Sequence, residues 1–251
     1  MSRKLSRGVG YLCNMPLPPY LRKYFYLAFG KVQGVDFDEI LVKDLNNFRT
    51  FNDFFTREID LSQRPIAQMD DKRTLVSPCD GTILSFGEVE MKKGTIQCVK
   101  GHDYRLDEFL FGFKTDKDER LADQRVTMTE RIIDSVGTRN NKLVYLVIYL
   151  APSDYHRYHS PAHFTANYRR HVVGYLEPVR PSYLEKHRDV LTQNERVNLL
   201  GDWEHGFFAM SFIGALNVGS INLHFDEEIA TNKYAPEYPY IDDKNYRVMV
   251  N

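Results

Sequence analysis

The segment YHRYHSP, Tyr155 to Pro161, holds two histidines three positions apart and directly follows the apolar run LVYLVIYLAPSD, Leu143 to Asp154. The apolar run predicts a buried β-strand, and the proline predicts that both histidines lie in the loop after it. Because histidine changes its charge near neutral pH, His156 and His159 are candidates for acid/base catalysis. A pair of surface or capping histidines would give the same pattern, so this motif by itself leaves both interpretations open.

A third candidate is Asp80 in SPCDG, Ser77 to Gly81, directly before the predicted strand TILSFGEV. An aspartate between proline and glycine commonly forms a turn, but its carboxylate can also orient a catalytic histidine. His156, His159, His163 and Asp80 could alternatively form a zinc site. The pattern favours acid/base chemistry over a metal, because HExxH is absent and two loop histidines three apart are a weak ligand signature.

Other common catalytic patterns are missing from the chain. It contains no G-x-S-x-G nucleophile elbow and no Walker-type or dinucleotide-binding glycine pattern. A serine hydrolase of the usual type and the common nucleotide-binding enzymes are therefore disfavoured.

The elements that must position these residues change character along the chain. Apolar residues at helical spacing predict an amphipathic helix over Leu21–Val32 and a second helix over Asp36–Phe48. Asn52 is the predicted cap of a short third helix that carries Phe54 and Phe55. From about residue 75 to residue 226, short runs rich in β-branched and aromatic residues predict strands. The expected fold class is therefore α+β, with N-terminal helices followed by a mainly antiparallel β-rich body.

Two polar stretches are expected to lack regular structure. Lys114–Arg125 is charged without a clear period and predicts a loop or an insertion. Thr231–Asn251 is polar, aromatic and turn-rich, which also predicts a loop.

Composition narrows the range of partners. The 251 residues include 33 Lys and Arg and 34 Asp and Glu, giving a net charge of -1, so no global charge attracts nucleic acid. Three distant cysteines indicate neither a disulfide framework nor a zinc motif. No apolar run reaches the about 20 residues that cross a bilayer.

The first 35 residues are basic, with six Lys or Arg and no acid before Asp36. A basic start suits an anionic lipid surface or the remnant of a targeting region, and a short disordered tail is the alternative. Basic and aromatic residues mix on the first predicted helix, so Tyr24, Phe25 and Phe29 are candidate membrane contacts. Packing of the same aromatics in the core is the competing interpretation.

Several separated motifs together resemble the phosphatidylserine decarboxylases, specifically the eukaryotic mitochondrial type. The motifs occur in the family's order from about Tyr20 to Asp226: FRTFNDFFTRE, Arg64-Pro65, SPCDG, KGHDY, APSDYHRYHSP, NERV, GDWEHGFF and GALNVGSI. The resemblance predicts a basic tail over residues 1–19 and one decarboxylase-like domain over residues 20–251. Within that domain, residues 20–60 are helical, 75–226 are β-rich and 227–251 form an incomplete C-terminal part.

The resemblance implies a decarboxylase that makes its own pyruvoyl group. In this family a serine of a Leu-Gly-Ser-Thr-like motif attacks the preceding peptide bond and becomes pyruvoyl at the start of a small α chain. The pyruvoyl group then forms a Schiff base with phosphatidylserine and serves as the electron sink for decarboxylation to phosphatidylethanolamine. By position, His159 and Asp80 are the base and the orienting acid for the serine, and His156 serves the decarboxylation step.

The same resemblance implies a gap, because residues 1–251 contain no Leu-Gly-Ser-Thr-like motif. Gly219-Ser220 is not the substitute, since the family has this pair in addition to the cleaved one. The chain is therefore expected to be inactive alone and to need the missing segment in cis or from a small α chain. The alternative is a non-catalytic lipid-binding or regulatory isoform. The resemblance places the protein peripherally on the mitochondrial inner membrane, with phosphatidylserine as substrate, and leaves a homodimer open.

Overall fold

The computed structural model describes residues 2–112, 119–232 and 241–250. The helices of this part are α1 (Ser2–Cys13), α2 (Pro19–Gln33), α3 (Phe51–Phe55), α4 (Leu106–Phe111), α5 (Glu119–Thr138), α6 (Pro181–Leu184) and α7 (Val190–Gln193). The strands are β1 (Thr82–Glu90), β2 (Thr95–Val99), β3 (His102–Arg105), β4 (Val144–Tyr149), β5 (Phe164–Val172), β6 (Arg196–Trp203), β7 (Gly206–Ile213) and β8 (Ile241–Val250). Short 3-10 turns lie at Leu45–Asn47 and Leu61–Gln63.

The strands form two four-stranded sheets, with the orders β3-β2-β1-β4 and β7-β6-β5-β8. Every pairing between these strands is antiparallel. The predicted α+β class with a mainly antiparallel body is thus confirmed. A hydrophobic cluster joins Val99 of the first sheet to Leu200 of the second and to Phe111 of α4, so one core lies between the sheets.

Residues with known capping roles stand at the ends of the N-terminal helices. Pro19 occupies the first turn of α2, where its missing N–H costs nothing, and Gly34 ends the helix with a left-handed φ of 84°. Thr50 and Asp53 form a capping box at the start of α3. Thr50 is therefore the cap, rather than the predicted Asn52.

An aromatic cluster holds these helices together. Tyr26 and Phe54 are fully buried and their rings stack with centroids 4.5 Å apart. Phe48 meets both rings edge-on. The cluster fixes α3 against α2, and the chain that leaves α3 runs directly to the candidate site.

The predicted helix over Asp36–Phe48 is wrong. This stretch is a loop that ends in the 3-10 turn, and Ile40 forms an isolated antiparallel bridge with Ile59. Asp36 and Asp44 accept backbone N–H bonds from residues two positions ahead, which favours turns over a helix. The buried apolar residues Val35, Ile40 and Leu45 are five positions apart, a spacing that does not make one helical face.

The two predicted loops are also corrected where the structure describes them. Residues 119–125 belong to α5, while 114–118 of the first predicted loop and 233–240 of the second lie outside the described residues. Residues 241–250 form β8, which pairs with β5 from Ile241↔Val172 to Val250↔Phe164. The charged start of β8, Asp242 to Lys244, does not predict a strand. Its place at the edge of a sheet is fixed by the neighbouring strand rather than by its own apolar pattern.

Residues 2–13 form a helix that is tied to the body. The hydroxyl of Ser6 is buried and accepts the backbone N–H of Asn217 at 3.3 Å, and Arg7 Nε donates to the carbonyl of Asn232 at 3.2 Å. This part of the basic start is therefore structured. No described helix has the length and apolar character that crossing a bilayer would require.

Candidate functional site

The pairing of β1 with β4 brings the two sequence motifs to one end of the first sheet. Thr82, the first residue of β1, lies opposite Tyr149, the last residue of β4. Because the strands are antiparallel, the SPCDG turn before β1 and the histidine loop after β4 leave the sheet side by side. Gly81 makes this approach possible, since a Cβ there would lie 2.3 Å from the carbonyl oxygen of Tyr149.

Backbone hydrogen bonds then fasten the histidine loop to the turn. The N–H of His159 donates to the carbonyl of Pro78 at 2.7 Å, and the N–H of Val76 donates to the carbonyl of Pro161 at 2.8 Å. The N–H of Tyr155 points at Asp80 Oδ2 at 3.4 Å. The structure therefore brings Asp80, His156 and His159 into one region, as the sequence predicts.

His156 is held in a defined orientation. Its Nδ1 lies 2.8 Å from the carbonyl oxygen of Asp154, which can only accept, so Nδ1 carries the proton and Nε2 is left as the basic nitrogen. The ring of Phe55 packs on the imidazole with centroids 3.9 Å apart. Burial, helped by the charge of Arg57, lowers the pKa of His156 below its ordinary value of 6.5. His156 is therefore a neutral imidazole at pH 7 and can accept a proton at Nε2.

His159 is more exposed and has a different partner. Its Nε2 lies 3.0 Å from the hydroxyl of Tyr155, and the two rings stack. Partial burial lowers the pKa of His159, and the neighbouring side chains of Arg157 and His224 act in the same direction. Tyr155 and His224 were not singled out from the sequence. The YHRYH spacing could have suggested Tyr155, which is four positions before His159, but no local signal points to His224.

The carboxylate of Asp80 pairs with Arg64, which also pairs with Glu39. Within the described residues no hydrogen bond joins Asp80 to His159. The predicted role of Asp80 as the orienting acid of His159 stays a prediction. The contact between Arg64 and Asp80 joins two of the motifs quoted above, Arg64-Pro65 and SPCDG.

The three candidate membrane contacts on α2 differ in exposure. Tyr24 is 71% exposed and Phe25 is 45% exposed. Phe29 is partly buried, with its ring 4.9 Å from that of Phe51 in the aromatic cluster. Phe25 also reaches Phe51, at 5.8 Å. Of the three, Tyr24 is the residue whose side chain is free to meet another surface.

No group of three or more His, Cys, Asp or Glu residues with a geometry for a metal ion occurs in the part of the chain that the structure describes. The remaining candidate ligand, His163, places Nε2 3.3 Å from the carbonyl oxygen of Met69. Burial raises the pKa of the Cys79 thiol to about 11, which keeps it protonated at neutral pH.

The family model and the similar proteins point to the same family. The family model described as phosphatidylserine decarboxylase matches residues 51–238. A mitochondrial phosphatidylserine decarboxylase proenzyme of Rattus norvegicus is 39% identical over 238 residues, which is 94% of this chain and 56% of the relative. The proenzymes of Caenorhabditis elegans and Saccharomyces cerevisiae are 39% and 30% identical, over 90% and 93% of this chain and 53% and 58% of the relatives.

The chain thus spans a little over half the length of these relatives. The family match covers the helix α3, the SPCDG turn, the histidine loop and the strands β1 to β7. Its motifs, its fold class and the grouping of Asp80, His156 and His159 lead to the same conclusion. The chain belongs to the phosphatidylserine decarboxylase family.

Proposed function

We propose that this chain is the larger part of an enzyme that decarboxylates phosphatidylserine to phosphatidylethanolamine. The observation that carries the proposal is the family match across the histidine loop, together with a neutral, oriented His156 beside Asp80. The relatives are named mitochondrial proenzymes, and these names support the same activity and a mitochondrial location. We extend this proposal to the inner membrane, with the protein bound peripherally.

A pyruvoyl group is the cofactor that the family implies, and the residues present fit it. His156 is the fitting feature: Nδ1 is occupied by a carbonyl, Nε2 has no hydrogen-bond partner among the described residues, and the ring is largely desolvated and uncharged. When bound, a pyruvoyl group supplies an electron sink for loss of carbon dioxide from an amino acid headgroup. His156 would serve this chemistry by accepting a proton from the substrate's ammonium group at Nε2 and donating it to the carbon that has lost carbon dioxide.

His159 and Asp80 are proposed to act earlier, in self-cleavage. His159 would accept the proton of a serine hydroxyl, because a hydroxyl is a weak nucleophile without an adjacent base. Asp80 would orient His159, and for this its carboxylate would have to turn from Arg64 toward the imidazole. Residues 1–251 contain no Leu-Gly-Ser-Thr-like sequence, so we propose that the serine lies outside them, in cis or on a small α chain.

The lipid substrate implies a membrane surface as a partner. We propose that α2 meets this surface, because it exposes Tyr24 among basic residues. Its Phe25 also contacts Phe51, which contacts Phe55 beside the His156 ring. A surface groove of about 530 Å³ beside α2 is lined by Lys23 and Lys43, by the acid Asp44 and by apolar residues that include Leu27.

The test measures release of labelled carbon dioxide from carboxyl-labelled phosphatidylserine in liposomes. Residues 1–251 alone are expected to give none, and the same residues joined to the C-terminal segment of the rat relative are expected to give activity. His156→Gln should abolish the activity of the joined protein. His187→Gln is the matched control, because His187 is exposed and stacks on Tyr183 outside the site. Activity of residues 1–251 alone would refute the proposed need for an external serine.

Intact-mass spectrometry of the protein isolated from its source separates the two remaining alternatives. A partner chain with a blocked pyruvoyl terminus supports the decarboxylase. A single species with the mass of residues 1–251, which binds liposomes without decarboxylating them, supports a non-catalytic lipid-binding isoform.

A further inference from the structure

The segment Phe55–Glu58, which leaves α3, lies along the loop that carries His156. Besides the contact of Phe55 with the His156 ring, Arg57 Nη2 donates to the carbonyl of Ser153 at 2.9 Å. The carbonyl of Thr56 accepts from Arg157 Nε at 2.8 Å, and Glu58 pairs with Arg157 Nη1 at 3.0 Å. Four successive residues of the helical part thus contact one loop of the β-rich part.

Arg57 is the unusual member of this segment. Its side chain is 4% exposed, and Nε and Nη1 are buried without a hydrogen-bond partner in the described residues. The guanidinium lies over the Phe54 ring, 5.5 Å from its centroid. Burial lowers the pKa of Arg57, and the nearby charges of Asp80, Glu39 and Asp154 oppose this effect. A guanidinium keeps its charge even so, and burying a charge with incomplete hydrogen bonding costs stability.

Stability therefore does not explain why this buried cation lies behind the histidine loop. We propose that Phe55 and Arg57 are positioning residues, which hold the imidazole of His156 in one orientation with Nε2 ready to accept a proton. The proposal deepens the proposed function and rests on it, since it concerns the state in which His156 would meet the substrate. Neither residue needs to touch the substrate.

The charges that face His156 come from three parts of the chain. Arg57 opposes protonation of the imidazole, whereas Asp154 on the same loop and Asp80 on the turn before β1 favour it. Burial is the largest influence and also opposes protonation. The hydrogen bond from Nδ1 to the Asp154 carbonyl selects the tautomer, and Phe55 fixes the plane of the ring.

The experiment is a pH titration of ¹⁵N-histidine-labelled residues 1–251 by two-bond ¹H–¹⁵N correlation spectra, with His156 assigned from His156→Gln. This measurement reports both the pKa and the tautomer of each imidazole. In the parent protein we expect His156 to titrate below an ordinary histidine and to carry its neutral proton on Nδ1. Arg57→Gln should strengthen proton binding to His156 by about threefold or more, and Arg57→Lys should restore most of the parent value. Phe55→Leu should give a mixture of tautomers.

Arg157→Gln is the matched control. Both Arg57 and Arg157 tie Phe55–Glu58 to the loop, so simple loosening of the loop predicts that both variants affect His156 alike. The proposal predicts instead that Arg57→Gln changes His156, while Arg157→Gln changes His159, whose imidazole Arg157 faces. Equal effects of the two variants, or no effect of Arg57→Gln, would overturn the proposal. If Arg57→Gln does not fold, Phe55→Leu decides, because an unchanged tautomer of His156 in that variant also contradicts the proposal.

This readout needs no enzyme activity, so the two proposals can fail separately. A positive titration result with an inactive joined protein would refute the decarboxylase and leave the positioning intact. In an active joined protein, Arg57→Gln should lower kcat and move the acidic limb of its pH profile to higher pH, with little change in KM. A fall in activity without that movement would count against positioning through His156.

Discussion

Replacement of Tyr24 by serine tests whether α2 is the surface that meets the membrane. Tyr24 is 71% exposed and Tyr26, two positions later, is fully buried, so the helix clearly separates an outer and an inner face. A tyrosine side chain can bury about 150–250 Å². The exposed part of Tyr24 could therefore contribute about 3–4 kcal/mol if all of it left water, at about 25 cal/mol per Å².

Only part of that area enters the membrane, because the phenol hydroxyl stays at the level of the headgroups. With about half of the area inserted, Tyr24→Ser should weaken liposome binding by about 1–2 kcal/mol, which is about five- to thirtyfold in affinity. The assay is sedimentation with liposomes of phosphatidylcholine and an anionic lipid other than phosphatidylserine, at about 0.1 M salt. The free energy of unfolding should change by less than about 0.5 kcal/mol, as expected for an exposed position.

Tyr175→Ser is the matched control, because Tyr175 is 59% exposed and lies after β5, outside α2. Equal loss of liposome binding in the two variants would refute the assignment of α2 as the membrane-facing surface. Phe29→Ser is a second reference. Since Phe29 packs in the aromatic cluster, this variant should lower stability whether or not α2 binds lipid.

Two further predictions concern stability. Tyr26→Phe should lower the free energy of unfolding by about 1–2 kcal/mol in urea titrations, because it removes the hydroxyl that contacts the carbonyls of Phe48 and Thr50 at 3.1 and 2.8 Å. Burial raises the pKa of Tyr26 to about 12, so the hydroxyl is a donor throughout the accessible pH range, and a change no larger than that of Tyr24→Phe would contradict this account. For pH dependence, His156 has a folded pKa below its unfolded value of about 6.5, so the stability it contributes is present above about pH 6.5 and is lost as pH falls through the folded pKa. Between pH 7.5 and 5, the free energy of unfolding should therefore fall less steeply for His156→Gln than for the parent protein. A steeper fall in the variant would show that the pKa of His156 is not lowered on folding.

Helix α2 illustrates what local pattern can predict. Its apolar spacing predicted Leu21–Val32, two residues short of the observed start and one short of the observed end, because this pattern acts within one or two helical turns. The failed helix over Asp36–Phe48 shows the limit of the same method. Asp36 and Asp44 stabilise turns, and the pairing of Ile40 with Ile59 depends on a segment that comes after α3.

The strand β8 escaped prediction for a related reason. Five of its ten residues are Asp, Lys, Asn or Arg, and the residues that it pairs with on β5 are 69 to 86 positions away. A strand at the edge of a sheet can be specified by its neighbour, so its own alternation need not carry the signal.

By itself, the sequence determined the α+β class, the place of the histidine loop after an apolar strand, and the family, because each depends on local patterns or on the order of motifs along the chain. Only the tertiary structure decided which side chains meet. It placed Arg64 on Asp80, directed Phe29 into the core while leaving Tyr24 exposed, and brought Arg57 against Ser153, 96 positions away. Such contacts follow from how the helices pack on the β-rich body, and the burial that makes His156 a neutral base arises only when that packing excludes water from its ring.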